Sequence, residues 1–255
     1  MRFFAVGLFV FAAVCGGANA QPFYEFTGKG ANATAFDSDP ANWASGNNIV
    51  LGVPRELRPG TREFRYSLGV SKKETHLVFD EPRASFTEAL SIVDGRLTVK
   101  RGLLLFQDLG KDTWKRQGSL LQGRATVTVE DGATLRFGGN LYLDKFRHRD
   151  PVPWLVVDGG RVVVGGRVNF LAGEIRLSGK GDFEAGALSF GARYNEGFIN
   201  FLPGAKGGVK IGAMTFEDRP ASFEEMVRRG RVAIDGKRAE WRRFRQTGDT
   251  LRLAE

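Results

Sequence analysis

Residues 129–143, VEDGATLRFGGNLYL, return in pattern 27 residues later as VVDGGRVVVGGRVNF over residues 156–170. In both stretches apolar residues alternate with polar ones on either side of an Asp-Gly turn and a Gly-Gly corner. A period of two marks strands that bury one face, and glycine suits sharp corners because it reaches positive φ with no Cβ to clash. Asp131 falls on Asp158, Leu135 on Val162, Phe137 on Val164, Leu141 on Val168 and Leu143 on Phe170. A further offset of 20 carries Leu155 onto Ile175, Val157 onto Leu177, Val168 onto Leu188 and Phe170 onto Phe190. In the other direction, a copy beginning at Ile92 places Asp94-Gly95 37 residues before Asp131-Gly132. It also places Leu97, Val99, Leu103 and Leu105 38 residues before Leu135, Phe137, Leu141 and Leu143. Leu90–Gly191 thus reads as one unit written four times.

Self-similarity at about 20 to 50 residues is the signature of a solenoid, whose units bury their apolar edges only by stacking. The expectation is an all-β chain, a single-stranded parallel β-helix, with one short helix near the C-terminus. A β-sandwich or meander of hairpins is the alternative, because Asp-Gly between alternating runs is also a hairpin signal. If the bare coil takes about 20 residues, the longer copies hold excursions at Gln107–Gln122, Asp144–Pro153 and Gly191–Gly197. All three follow the second strand of a unit, which would put them on one side of the molecule.

Outward from the repeat, Met1–Ala20 reads as a secretory signal peptide: Arg2, an apolar run over Phe3–Val14, and the small-x-small site Ala18-Asn19-Ala20. Cys15 is the only cysteine, so cleavage after Ala20 leaves no disulfide and no thiol chemistry. Loss of Arg2 from 37 basic residues leaves 36 against 29 acidic ones, a net charge of +7. No second apolar stretch reaches membrane-spanning length. Residues 21–255 suit a single domain, with 21–60 as an N-terminal cap region closed by Trp43, 61–217 as coils and 218–255 as a C-terminal cap. Asn32-Ala33-Thr34 is a glycosylation sequon, and Ser222-Phe223-Glu224-Glu225 is a capping box opening a helix that ends at Gly230.

The Asp39–Trp43 opening (DPANW), the Val129–Gly139 phrase and the ending Asn200–Gly204, Phe223–Glu225, Gly230–Gly236 and Gly248–Leu251 resemble secreted bacterial β-solenoid proteins. These are the groups with autotransporter-associated β-strand repeats and with exosortase sorting tails. The resemblance implies a right-handed parallel β-helix outside the cytoplasm and no particular reaction.

An enzyme reading starts from the excursions. They carry Asp108, Lys111, Asp112, Trp114, Lys115 and Arg116, then Asp144, Lys145, Arg147, His148, Arg149 and Asp150, then Arg193, Tyr194, Asn195 and Glu196. Cleavage of an acidic polysaccharide needs a base and a cation to stabilise developing charge. The catalytic candidates for such a lyase or glycoside hydrolase are Asp144, Arg147, His148, Asp112 and Lys115. Trp114, Arg116, Arg149 and Tyr194 are candidate ligand contacts on the same loops. His76 and His148 have no partner at metal-ligand spacing, and no cofactor motif appears. The C-terminus offers a second ligand surface, since Arg242, Arg243 and Arg245 are interleaved with Trp241 and Phe244. Arginine beside aromatics holds anionic polymers, and after export these are acidic polysaccharide or cell-envelope glycan, not nucleic acid. The sequence therefore points to a secreted, non-enzymatic structural or cell-surface protein binding polyanionic glycans, with the polysaccharide-cleaving enzyme as the alternative.

Overall fold

The computed structural model describes residues 23–29, 43–45, 56–58, 61–64, 67–70, 73–108, 118–145, 147, 149–191 and 196–254. The expected signal peptide (Met1–Ala20), the sequon at Asn32 and the Asp39–Asn42 part of the opening motif lie outside them. The described chain is all-β: a long mixed sheet of 23 strands with one α-helix, Phe223–Arg228.

Most pairings are parallel and fall into three ladders. The first runs through Phe23–Phe26, Ser67–Val70, Leu90–Val93, Ser119–Gln122 and Leu141–Asp144. It continues through the second halves of Arg161–Phe170, Asp182–Phe190 and Gly208–Phe216. The second takes the first halves of His76–Phe86 and Arg96–Phe106, then Thr126–Val129, Trp154–Asp158, Ala172–Ser178, Glu196–Phe201 and Val232–Ile234. The third joins Thr61–Phe64, the second halves of His76–Phe86 and Arg96–Phe106, Ala133–Phe137, and the first halves of the three long strands that follow. The chain visits the ladders in fixed order, so each strand lies between its counterparts one circuit earlier and one circuit later. The ladders reach beyond residues 61–217, to Phe23–Phe26 at one end and Val232–Ile234 at the other.

Alternation decides what each strand buries. In the second ladder Leu77, Leu97, Val127, Leu155, Ile175, Ile199 and Val232 form one buried column. Phe86, Phe106 and Phe137 stack in the third ladder, with ring centroids 5.1 and 5.9 Å apart, and Phe170 stacks on Phe190 in the first at 5.4 Å. Each such side chain contributes about 1.5–3 kcal/mol by leaving water.

The offsets of 27 and 20 residues from Leu135 to Val162 and from Val168 to Leu188 match the register. The first copy is placed differently. Leu97 pairs with Val127 and Leu104 with Leu135, offsets of 30 and 31 rather than 38. The Asp94-Gly95 turn joins the first ladder to the second, whereas Asp131-Gly132 joins the second to the third. The corner that matches Asp131-Gly132 one circuit earlier is Arg101-Gly102. There Gly102 has φ of +70°, and a Cβ would come within 2.4 Å of the Pro82 carbonyl oxygen. Both kinds of corner require a left-handed residue (Asp94 at +65°, Gly132 at +76°), so the same local sequence serves either.

The C-terminal edge is closed by antiparallel strands. Thr250–Leu253 covers the third ladder and is itself covered by Phe244–Thr247, while Arg219–Pro220 and Lys237–Arg238 turn back on the first and second. In the helix the Ser222 hydroxyl accepts from Glu225 N at 3.2 Å, but the Glu225 carboxylate turns to Arg229, at 2.8 Å. Half of the expected capping box forms. The helix stops at Arg228, short of the expected Gly230, with Gly230 itself at φ +71°.

Candidate functional site

The three expected excursions do not share one corner. Residues 107–118 leave between the third ladder and the first, and Ser119–Gln122 is already a strand of the first. Residues 145–153 and 191–195 leave between the first ladder and the second, as does the helical segment 217–231. Asp112, Trp114, Lys115, Arg116, His148 and Tyr194 lie outside the described residues.

At the root of the 145–153 loop the chain turns its charges inward. Asp144 is buried and its Oδ1 accepts from Lys145 N at 2.8 Å. The Lys145 side chain, only 1% exposed, reaches the Glu196 carboxylate, which opens the strand two circuits on and is 39% exposed. This arrangement anchors the loop root, and it leaves Asp144 inside the wall instead of presenting a base. Arg147 and Arg149 are exposed beyond it, on a turn in which Asp150 N donates to Arg147 O at 3.1 Å. Asp108, at the root of the other loop, has its pKa raised by burial, against a lowering hydrogen bond from the Asn140 backbone.

The outer surface of the second ladder holds a cluster that sequence reasoning missed. Trp154 is the exposed large hydrophobic residue among the described residues. The Arg176 guanidinium lies over its ring, 3.8 Å from the centroid, and donates through Nη2 to Glu174 Oε2 at 2.7 Å. Glu174 Oε1 accepts from Asn200 Nδ2 at 2.7 Å, and Asn200 Oδ1 accepts from Gly236 N at 2.9 Å. Glu174 and Asn200 are both buried. The 20-residue offset, which sets Trp154 on Glu174 and Val156 on Arg176, is the sequence signal that could have found it.

The outer surface of the third ladder is mainly cationic. Across successive strands, one outward column reads Leu103, Thr134, Arg161 and Asp182, followed by Gly208, Arg252 and Arg245. A parallel column contains Arg136, Glu184 and Lys210. Glu184 pairs with both Arg161 (2.8 Å) and Lys210 (3.4 Å), and the Arg161 hydrogen bond is the largest cause of its lowered pKa. Arg136, Arg245 and Arg252 have no ion-pair partner among the described residues. Of the expected C-terminal arginines, Arg245 joins this surface, Arg243 is exposed, and Arg242 is engaged by Glu240 at 2.5 Å. The interleaved aromatics face inward: Phe244 is buried edge-on against Phe201, centroids 5.6 Å apart, and Trp241 packs on the core. Phe244 thus offers these arginines no stacking face, and Trp241 is partly buried.

Among the described residues no group of three or more His, Cys, Asp and Glu could hold a metal ion, and no helix is long and apolar enough to cross a membrane. His76 donates to or accepts from Thr98 Oγ1 at 2.9 Å, and burial, followed by Arg96 and Lys100, lowers its pKa below 6.5. No protein-family model, curated protein or solved structure matches the chain.

Proposed function

We propose that the protein is an exported single-stranded parallel β-solenoid that binds polyanionic glycans at the cell surface or in the matrix, without catalysis. The three ladders and their fixed order support the solenoid, each circuit being one coil. The pairing of Arg245 directly with Arg252 carries the functional reading. Like charges opposite one another on a sheet face are destabilising, and these two have no carboxylate between them. An anion laid across the face relieves that repulsion. Arg252 and Arg245 lie on neighbouring strands about 4.8 Å apart, with Arg161 and Lys210 on the same face, so the charge extends along the surface as a chain-like ligand would.

The test is retention of the mature protein on immobilised acidic and neutral polysaccharides in low and high salt, with release of new reducing or unsaturated ends recorded in parallel. Salt-sensitive retention on the acidic polymers, weakened in an Arg245→Gln/Arg252→Gln variant, is the expected result. Absence of retention would overturn the reading. New ends would replace it with a polysaccharide lyase or glycoside hydrolase.

A further inference from the structure

The Trp154–Arg176 pair is costly to build for a surface detail. Outward positions of the second ladder in earlier layers are simpler: Thr126, Thr128 and Val156 carry no ion pair, and Thr98 meets only His76 of the neighbouring strand. At Arg176 the chain instead supplies a carboxylate, Glu174, and then a carboxamide, Asn200, to hold that carboxylate. Both supports are buried, and the relay ends on a backbone amide at Gly236, so residues from four successive layers fix one guanidinium. Buried polar groups stay tolerable only when fully hydrogen-bonded, and every polar atom of the Glu174 carboxylate and the Asn200 carbonyl is used.

What the relay leaves available is specific. Nη2 donates to Glu174, Nε is buried without a partner, and Nη1 has no hydrogen-bond partner among the described residues, in a side chain that keeps 27% of its surface exposed. Beside it lies the 39% of Trp154 that is not covered. A cationic nitrogen with N–H donors to spare, next to an indole, matches a ring with an apolar C–H face and a carboxylate. The exposed Arg147 and Arg149 stand on the loop that delivers Trp154, adding positive charge to its approach.

We propose that Trp154 and Arg176 form a subsite for a hexuronate residue, the sugar ring resting on the part of the indole that the guanidinium leaves uncovered and its carboxylate on Arg176 Nη1. This rests on the glycan-binding reading of the cationic face and names the sugar class that the same polymer would carry. Preorganisation explains the relay: a guanidinium already fixed loses little rotamer freedom when the carboxylate arrives.

The test titrates the mature protein with a galacturonic acid hexamer and with a neutral galactose hexamer, following tryptophan emission and calorimetric affinity. The acidic hexamer should bind and change the emission, and Trp154→Ala should abolish the emission change and weaken binding about tenfold or more. Trp154→Phe should keep binding within about threefold, since a ring remains. Arg176→Gln should weaken binding of the acidic hexamer. The thermal midpoint of Trp154→Ala is the folding control, because an exposed tryptophan can be truncated without opening the core. Equal binding of the neutral or a sulfated hexamer would overturn the carboxylate assignment. Wild-type affinity in Trp154→Ala, with salt-sensitive polymer retention still dependent on Arg245 and Arg252, would overturn the subsite and leave the cationic face standing. A wild-type protein that neither retains polymer nor binds the hexamer would overturn both.

Discussion

Replacing Glu196 by Gln should destabilise the protein, whereas replacing its partner Lys145 by Met should not. The Lys145 ammonium is almost completely enclosed, its side chain 1% exposed, while Glu196 keeps 39% of its side chain in water. Removing one partner of a fully buried ion pair costs about 3–5 kcal/mol, because the other charge is left without compensation. An exposed pair is worth about 0–1 kcal/mol. With one end buried and the other half in water, Glu196→Gln should cost about 2–3 kcal/mol, between those limits. For a domain of this size that lowers the thermal midpoint by roughly 4–12 °C. Lys145→Met keeps the length of the stem and removes the buried charge, while Glu196 remains partly in water, so stability should stay within about 1 kcal/mol of wild type. In the double variant the cost of Glu196→Gln should shrink, because the ammonium that the Glu196 carboxylate meets is gone. Thermal scans and urea midpoints give these values, and amide exchange at residues 172–173 and 196–199 locates the opening. A Glu196→Gln variant within about 0.5 kcal/mol of wild type, or a Lys145→Met variant that loses as much as Glu196→Gln, would refute the reasoning.

Other consequences can be measured in the same way. Phe106→Ala removes the middle ring of the Phe86–Phe106–Phe137 stack and should cost about 3–5 kcal/mol by urea denaturation. Leu251→Asp should release the strand pair that covers Gly208–Phe216, and the uncovered edge should give concentration-dependent association in light scattering. The lowered pKa of His76 means that the folded state resists its protonation. Stability should therefore be fully present above 6.5 and decline as pH falls below it, and His76→Gln should flatten that decline. The reading of Met1–Ala20 as a signal peptide is checked by expressing the full chain in a secreting host, where an N-terminus at Gln21 by mass spectrometry is the expected result.

The strands, their buried faces and the offsets between Leu135 and Val162 and between Val168 and Leu188 were legible because alternation and glycine corners are local properties. The match of Leu97 to Leu135 failed for a physical reason. Two different corners use the same left-handed turn chemistry, so an Asp-Gly cannot say which ladders it joins. The shared side assigned to the three loops failed with it, since the position of a loop follows from its corner. Among the candidate site residues, Arg245 and Arg149 were legible as exposed cations, but Asp144 turned inward and Trp241 and Phe244 turned to the core.

By itself the sequence determined an all-β chain with repeating period-2 strands, a helix start at Ser222 and an excess of basic residues. Those follow from short-range patterning, capping and composition, which need no knowledge of what lies across the sheet. Tertiary structure alone decided that Lys145 meets Glu196 51 residues away, that Arg176 covers Trp154, and that Arg245 lies opposite Arg252. Such pairs form between layers and across the closing edge, and their register depends on the length of every intervening loop.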